Sequence, residues 1–381
     1  MTDVLIVGGG PVGLYLGALL LQQGVSVRIL EKRTGRNAHT RAIGIHPPAL
    51  AALDRIGVAS ALVAQGIPIR RGQAVSAGRE IADMPFGPVS DRYPFVLAVP
   101  QPVTESVLER RLLELDGGAL LRGAEVTDMH DDGGRVTLDV AGAGTGAGGA
   151  AGLSAALAVG ADGANSTVRR LLSVPAREKR YPDHYLMGDF PESTAYGSDA
   201  ALFLEEDGIV ESFPLPGGVR RWVVRLARPP VRPDAADLAG LVAARTGVAV
   251  DASCNSMLSS FGVRSRLASR MVAGRTALIG DAAHEISPIG GQGMNLGWLD
   301  AEALLPVIVA ALNGEPTGTA LRCFDAQRRR AATAARRQAE VNMALGRPLP
   351  GGVLRARNAA IARVAAVPAF NEFVARRFTM Q

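Results

Sequence analysis

The sequence contains only two cysteines, Cys254 and Cys323, in 381 residues. Two thiols exclude a multi-disulfide scaffold and any zinc site built from cysteines. The histidines show no spacing typical of metal ligands, so we predict that the chain binds no metal. A chain with so few thiols suits a reducing compartment, and we predict a cytoplasmic protein.

Lysines, aromatic residues and long apolar runs are also scarce. No segment reaches the roughly 20 continuous apolar residues of a membrane-spanning helix, so we expect no membrane span. Lysine occurs only at Lys32 and Lys179, and arginine therefore carries most of the positive charge behind the net charge of +5. Because the arginines are scattered and accompany no binding motif, we predict no nucleic-acid partner. Aromatic residues make up only 4% of the chain, so Leu, Val and Ala must fill the core.

The N-terminus has the pattern of a βαβ unit. Residues 3–7 are typical of a buried parallel strand, residues 12–23 of an apolar helix, and residues 25–30 of a second strand that leads to Glu31. Between the first strand and the helix lies the turn Gly8-Gly9-Gly10-Pro11-Val12-Gly13.

A Gly-x-Gly-x-x-Gly turn in this position has a physical task. Gly8 permits the tight turn, Gly10 lets the backbone approach a pyrophosphate, and Gly13 lets helix and strand pack closely. The pyrophosphate meets the N–H groups at the helix start, and Glu31 accepts hydrogen bonds from ribose hydroxyls. The unit predicts dinucleotide binding but does not distinguish FAD from NAD.

The rest of the chain predicts a discontinuous α/β fold. Alternating segments between residues 176 and 264 indicate an antiparallel sheet, and the Gly- and Ala-rich stretch 141–152 indicates a loop. Buried strands are expected at 155–161 and 275–280, and helices at 46–65, 101–116, from about 293, at 318–340 and at 353–378.

Two further motifs, in order after the glycine turn, carry a resemblance to a known family. Residues 159–169 read VGADGANSTVR, and residues 278–300 read LIGDAAHEISPIGGQGMNLGWLD. Together with the turn, they resemble the class A flavoprotein monooxygenases of the para-hydroxybenzoate hydroxylase type, over about residues 1–340. The resemblance implies a discontinuous Rossmann-like FAD-binding domain of the glutathione reductase type, an inserted antiparallel-sheet substrate domain and C-terminal helices. We assign residues 1–70, 95–175 and 265–340 to the FAD-binding domain. The substrate domain takes residues 71–94 and 176–264, and residues 341–381 form a C-terminal helical tail.

The resemblance also implies roles for individual residues toward FAD. Asp281 would accept hydrogen bonds from ribityl or ribose hydroxyls, and Arg41 would reach the pyrophosphate. Asp162-Gly163 would serve both FAD and the nicotinamide cofactor. The loop Pro288–Asn295 would present N–H groups to the negative charge on reduced flavin. The full set of expected cofactor contacts is Gly8, Gly10, Pro11, Val12, Gly13, Glu31, Lys32, Arg41, Gln101, Val126, Asp162, Gly163, Gly280, Asp281, Pro288, Gly291, Gly293, Met294 and Asn295.

The implied reaction uses NAD(P)H and dioxygen to hydroxylate or epoxidise an aromatic or polyketide-like molecule through a flavin hydroperoxide. Pro288 would shape the reacting side of the ring. The family often places an arginine near the flavin on the strand of Arg220-Arg221-Trp222, so one of these residues, of which we select Arg221, would gate movement of the ring. A solvated strand edge is the alternative interpretation of these residues. We interpret His284 as a packed side chain and Asp300 as a capping or solvated one. Trp298 faces either the substrate or the core. The expected assembly is a monomer or a homodimer.

Three alternatives share parts of this pattern. A flavin-dependent halogenase would carry a Trp-x-Trp-x-Ile-Pro motif, which is absent here. A flavin-dependent reductase or dehydrogenase of the same fold would use no dioxygen. A redox-silent flavin-containing protein would only bind a ligand. The sequence does not separate the last two from a monooxygenase.

Overall fold

The computed structural model describes residues 2–36, 42–142 and 151–381, with only the backbone of Ala151. Its strands are β1 (Thr2–Val7), β2 (Val27–Glu31), β3 (Gly44–Ile45), β4 (Ile67–Ile69), β5 (Arg71–Ser76), β6 (Arg79–Pro85), β7 (Val96–Ala98), β8 (Leu120–Arg122), β9 (Ala124–Asp131), β10 (Val136–Gly142), β11 (Ala151–Gly160), β12 (Ala176–Pro191), β13 (Ala200–Phe203), β14 (Val210–Leu215), β15 (Val219–Leu226), β16 (Met257–Ala268), β17 (Val272–Ala273), β18 (Thr276–Leu278) and β19 (His284–Glu285). Its helices are α1 (Pro11–Gln22), α2 (Pro47–Asp54), α3 (Ala59–Val63), α4 (Gln101–Leu115), α5 (Thr167–Leu171), α6 (Ala235–Thr246), α7 (Gln292–Leu312), α8 (Gly318–Leu345), α9 (Gly351–Ala365) and α10 (Pro368–Phe378).

The first sheet has a parallel core with the strand order β18-β11-β1-β2-β8. Strands β9 and β10 extend it as an antiparallel hairpin beside β11. The three sequence motifs follow β1, β11 and β18, which are adjacent strands. Because the carboxyl ends of adjacent parallel strands share one edge, the motifs meet at a single place, as in other doubly wound sheets.

The second sheet has the strand order β19-β16-β12-β15-β14-β13-β5-β6. Its pairs are antiparallel, as expected for the inserted sheet, except β5–β13, which is parallel. On one face, Leu238 and Val242 of α6 pack against Trp222 and Phe190. The opposite face is turned toward the carboxyl edge of the first sheet.

Several predicted elements are divided in the structure. The helix expected at 46–65 is two helices, α2 and α3, because the chain turns at Gly57. The helix expected at 353–378 ends at Ala365 and begins again at Pro368, a residue favoured in the first turn of a helix. Of the loop expected at 141–152, residues 143–150 lie outside the described residues.

The C-terminal helices pack against the second sheet. The Asn371 side-chain amide donates to the carbonyl of Asp83, which lies on β6, over 2.7 Å. The Phe378 ring lies 6.0 Å from the ring of Phe86 and 5.6 Å from that of His46. The tail thus reaches from the edge of the second sheet to the segment that precedes α2.

Within the described ranges, one helix is long and apolar enough by length and composition to cross a membrane. This helix is α7, and 56% of its apolar stretch is buried in the protein. It packs against α1 and α2 in the core of the first sheet's domain.

Candidate functional site

A cavity of about 1640 Å³ lies between the two sheets. Its walls are the carboxyl edge of the first sheet, the open face of the second sheet and the C-terminal helices. Typical small-molecule pockets have about 300–1,000 Å³. This cavity is therefore large enough for a dinucleotide and a second small molecule together.

The glycine turn forms one end of the cavity. A Cβ atom on Gly13 would lie 2.0 Å from the carbonyl oxygen of Gly8, so only glycine fits there. A Cβ atom on Gly10 would meet no protein atom within 4 Å, because Gly10 faces the open cavity. Helix α1 begins directly after Gly10 with no side-chain cap, which leaves its first N–H groups available to an anion.

Glu31 lies beside this turn and is almost fully buried. Its carboxylate accepts hydrogen bonds from the Gly9 N–H at 2.8 Å and from the backbone N–H and Nε of Arg33, each at 2.9 Å. Burial opposes ionisation, but these donors outweigh it and lower the pKa of Glu31. An ionised, oriented carboxylate is the group that ribose hydroxyls require.

Asp162 follows β11 and caps a short helix. Its carboxylate accepts from the Thr167 N–H at 2.7 Å, the Val168 N–H at 3.1 Å and the Ser166 hydroxyl at 2.5 Å. Asp162 and Gly163 both line the cavity. The segment also touches the glycine turn, since a Cβ atom on Gly8 would lie 2.4 Å from the carbonyl oxygen of Ala161.

Asp281 follows β18 and points into the cavity. Its side chain is exposed to the cavity, and desolvation by the protein around the cavity raises the pKa of this carboxyl to about 6. The turn that holds it is fixed from behind, because the Gly280 N–H donates to Asp300 over 3.0 Å.

Asp300 is fully buried and also contacts His284 and the Arg328 guanidinium, the latter at 2.6 Å. Burial opposes ionisation of Asp300, but these partners lower its pKa, and Asp300 in turn raises the pKa of His284. The prediction that His284 is a packed side chain is confirmed. The solvated role considered for Asp300 was wrong, because the carboxylate joins β18, α7 and α8.

The loop after β19 leads to the start of α7. Gly291 has a φ of +67°, the left-handed region that favours glycine, and directly precedes the helix. Pro288, Gly291, Gly293 and Met294 line the cavity, so the first N–H groups of α7 are at its wall.

Asn295 does not line the cavity. Its side chain is fully buried, accepts from the His46 N–H at 2.8 Å and donates to the carbonyls of Gly44 and Gly291. His46 itself is buried with its Nε2 3.2 Å from the Gly290 carbonyl, and burial lowers the pKa of His46 to about 4. Both side chains therefore hold the loop in place, Asn295 from behind and His46 from the cavity wall. The part of His46 was not evident from the sequence, because its partners lie about 250 residues away.

Strand β15 forms the middle of the opposite wall. Alternation along the strand turns Arg221 and Val223 to the cavity, whereas Trp222 packs under α6. The Arg221 guanidinium is paired with Asp189 through contacts of 2.7 and 2.8 Å. The second tryptophan, Trp298, is a core residue whose indole N–H donates to the Pro11 carbonyl at 3.1 Å.

The remaining expected contacts divide into three groups. Gln101 and Val126 line the cavity, and Gln101 donates to Glu105, a buried acid that sequence reasoning missed. Gly13 acts within the turn and is not on the cavity wall. Arg41 lies outside the described residues. The expected residues that do line the cavity are Gly8, Gly10, Pro11, Val12, Glu31, Lys32, Gln101, Val126, Asp162, Gly163, Arg221, Gly280, Asp281, Pro288, Gly291, Gly293 and Met294.

These features fit FAD. The space in front of Gly10 and the uncapped N-terminus of α1 suit its pyrophosphate, and Glu31 and Asp281 suit its hydroxyls. The start of α7 suits the flavin ring. In the described ranges, no group of three or more His, Cys, Asp or Glu side chains could hold a metal ion.

Comparison with known proteins agrees with this geometry. The family described as "FAD binding domain" matches residues 1–339. The anhydrotetracycline monooxygenase of Streptomyces rimosus is 32% identical over 91% of this chain and 70% of its own length. The 6-methylpretetramide 4-monooxygenase of the same organism is 32% identical over 86% of this chain, and the match spans 59% of that longer protein.

Solved structures give the same result. The p-nitrophenol 4-monooxygenase of Pseudomonas putida DLL-E4 superposes with a TM-score of 0.89 at 25% identity, covering 100% of this chain and 98% of that chain. The anhydrotetracycline hydroxylase of Streptomyces rimosus superposes with a TM-score of 0.81 at 29% identity, covering 99% of this chain and 75% of that chain. Both the expected fold and the expected family are confirmed: the chain belongs to the FAD-binding family of flavin-dependent aromatic-hydroxylase-type monooxygenases.

Proposed function

We propose that the protein uses NAD(P)H and dioxygen to hydroxylate an uncharged aromatic or polyketide-like molecule. The proposal rests mainly on one observation: a continuous cavity extends from the glycine turn to the face of the second sheet. One end has the polar groups that a dinucleotide needs. The other end is lined mainly by apolar side chains, among them Met187, Phe213, Val223 and Phe261.

FAD, when bound, accepts hydride from the nicotinamide cofactor and activates dioxygen, and the protein supplies binding and orientation. The N–H groups at the start of α1 hold the pyrophosphate, and Glu31 holds the ribose. Asp281 would accept hydrogen bonds from ribityl or ribose hydroxyls of FAD. The N–H groups at the start of α7 stabilise negative charge on the ring.

The substrate end excludes water from the reacting atoms. Pro288 forms the wall between the start of α7 and the second sheet. Apolar side chains on β12, β14 and β15, namely Met187, Phe213 and Val223, line this wall and suit contact with an aromatic ring system. Arg221, held by Asp189, is the cation of this wall, and we assign it to substrate or flavin positioning. The monooxygenases of tetracycline-type compounds among the relatives support a substrate of this shape.

The test of this function is oxygen incorporation. We expect purified holoenzyme to oxidise NADH or NADPH faster in the presence of a suitable member of a panel containing anhydrotetracycline, rifampicin and 4-nitrophenol. With isotope-labelled dioxygen, the product should carry one labelled oxygen atom by mass spectrometry. Substrate-stimulated oxidation without label in any product would instead support a reductase. Tight ligand binding with no NAD(P)H oxidation would support a redox-silent binding protein.

The role of Asp281 predicts a pH dependence of FAD affinity. Hydroxyl donors bind better to the carboxylate than to the neutral acid, so FAD binding lowers the pKa of Asp281 from about 6. The affinity gained in this way is present above pH 6 and is lost as the pH falls. Below that value each pH unit should weaken binding up to about tenfold.

Quenching of FAD fluorescence by the apoprotein at pH 5.0 and pH 7.5 measures this dependence. The Asp281→Asn variant should bind FAD more weakly at pH 7.5 and should lose the dependence. Circular dichroism at both pH values serves as the control for acid unfolding. Equal dissociation constants for the wild-type protein at the two pH values would contradict the role.

A further inference from the structure

Glu211 lies at the centre of the cavity face of the second sheet. The register of five strands places it in a row of side chains that all line the cavity. From β13 through β14, β15 and β12 to β16, this row is Leu202, Glu211, Val223, Met187 and Ser259. The carboxyl is therefore on the surface that a planar substrate would contact.

The immediate surroundings of Glu211 are apolar. Its neighbours across the sheet are Leu202 and Val223. Along the chain, Phe213 on β14 and Ile209, which directly precedes β14, also line the cavity. The residue is 8% exposed, and in the described part of the chain it forms no hydrogen bond or ion pair. Carboxyl groups are almost never buried to this degree without a partner. The missing partner is expected to come from a ligand.

The nearest arginines on the same face already have partners. Arg221 and Arg225 lie two residues to either side of Val223, the cross-strand neighbour of Glu211. Arg221 is paired with Asp189 at 2.7 Å, and Arg225 with Asp183 at 3.0 Å. Asp183 also pairs with Arg347 at 2.8 Å, so Arg225 shares its carboxylate. In the described part of the chain, Glu211 forms an ion pair with neither Arg221 nor Arg225.

Other titratable groups face this region from the surrounding elements. Tyr185 on β12 is buried, and its pKa is raised by that burial and further by the charge of Glu211. Strand β6 and the C-terminal helices add charged groups to the cavity wall, namely Asp83 on β6, Arg337 on α8, Arg357 on α9 and Arg377 on α10. The charged groups at the first sheet's end of the cavity are Glu31, Lys32, Arg33, Glu105, Glu125, Asp162 and Asp281. Burial in these apolar surroundings raises the pKa of the Glu211 carboxyl to about 7. The group therefore changes charge near neutral pH.

We propose that Glu211 binds the hydroxyl group of a phenolic or enolic substrate and accepts its proton. In this step the substrate O–H bond breaks, its electron pair stays on the substrate oxygen, and a new O–H bond forms on the Glu211 carboxylate. The resulting phenolate ring is richer in electrons, which favours oxygen transfer to a ring carbon. The inference rests on the proposed function and specifies its substrate class. Substrates that carry a carboxylate at this position are disfavoured, because two like charges would share one desolvated site.

Binding of a matched ligand pair tests the assignment without turnover. The FAD-containing protein is titrated at pH 8 with 2-naphthol and with 2-naphthoate, and binding is followed by the change in the visible flavin spectrum. We expect the wild-type protein to prefer 2-naphthol by about tenfold or more, and Glu211→Gln to reduce that preference by a similar factor. An unchanged preference in the variant, or no binding of 2-naphthol to the wild-type protein, overturns the proposal.

Turnover gives the second readout. The kcat/KM for 2-naphthol-dependent NAD(P)H oxidation should rise through about pH 7 in the wild-type protein, because the carboxylate is the competent form. Glu211→Gln should lower kcat/KM by about 100-fold or more and should lose this rise, whereas Glu211→Asp should retain part of it. Glu114→Gln, the same change on the exposed surface of α4, is the matched control.

The two proposals can fail separately. If the wild-type protein oxidises no NAD(P)H with any compound tested, the proposed function fails. The binding preference between 2-naphthol and 2-naphthoate then still tests whether Glu211 binds the hydroxyl group of the ligand. If oxidation proceeds with the same pH profile in Glu211→Gln as in the wild-type protein, the function stands and the assignment of Glu211 is overturned.

Discussion

Gly10→Val is expected to yield a folded protein that is purified with little or no bound FAD. Gly10 has a φ of −81°, which any residue adopts, and a side chain there would meet no protein atom within 4 Å. The side chain would instead fill the space in front of the first N–H groups of α1. Charge-assisted hydrogen bonds contribute about 1.5–3 kcal/mol each, so displacing the pyrophosphate from two of them weakens FAD binding by about 100-fold or more.

The flavin content of the purified protein and the FAD dissociation constant measure this effect, and circular dichroism checks the fold. Gly240→Val, the same change on the exposed face of α6, should keep full flavin content. Gly13→Ala should behave differently, because its Cβ would lie 2.0 Å from the Gly8 carbonyl and would disrupt the turn itself. A Gly10→Val protein that retains stoichiometric FAD would refute the placement of the pyrophosphate.

Asp300→Ala is expected to destabilise the protein by about 3–5 kcal/mol. Its carboxylate is fully buried and is shared by the Gly280 N–H, His284 and Arg328. Removing one partner of a buried ion pair leaves the remaining charges without compensation, which costs about this amount. Because the Gly280 turn also carries Asp281, FAD affinity should fall with stability.

The stability difference should be largest between about pH 4 and pH 6.5. The lowered pKa of Asp300 contributes stability above its ordinary value of 3.8, which is lost as the pH falls. The raised pKa of His284 contributes stability that is complete below its ordinary value of 6.5 and is lost as the pH rises further. Both contributions are present between the two values.

Urea unfolding followed by tryptophan fluorescence measures this difference, since Trp298 lies on the same helix as Asp300. Asp300→Asn keeps an acceptor for Gly280 and should give an intermediate loss. Glu372→Ala, which removes an exposed pair with Arg376, should change stability by less than about 1 kcal/mol. A similarly small effect of Asp300→Ala would show that the contacts of Asp300 with His284 and Arg328 contribute little to stability.

The dinucleotide end of the site could be predicted because its determinants are local. The strand, glycine turn, helix and Glu31 lie within about thirty consecutive residues, and each follows from hydrophobic periodicity or from the space that a backbone needs. Asp162 and Asp281 could be placed for the same reason, since each directly follows a short buried strand. Asp162 and Asp281 lie at the same edge of the sheet because their strands pair in parallel. The order of the motifs along the chain can indicate this pairing.

The substrate end could not be predicted in this way. The environment of Glu211 depends on neighbours from four other strands, and the state of Arg221 depends on Asp189, 32 residues earlier. Asn295 belongs to a sequence motif that is typical of cofactor contacts. Its side chain instead lies behind the loop, where it accepts a hydrogen bond from the His46 N–H. Nothing in a linear pattern distinguishes a carboxyl that has a counter-charge from one that lacks it.

The sequence by itself therefore determined the cofactor class, the family and the order of the elements. Glycine turns, helix starts and buried strands arise from interactions between residues near each other in the chain. Only the tertiary structure decided the parallel β5–β13 pair, the packing of the C-terminal helices on β6, and the position of Glu211 on an apolar wall. Burial and charge pairing are properties of contacts between distant segments, and these contacts exist only once the two sheets face each other.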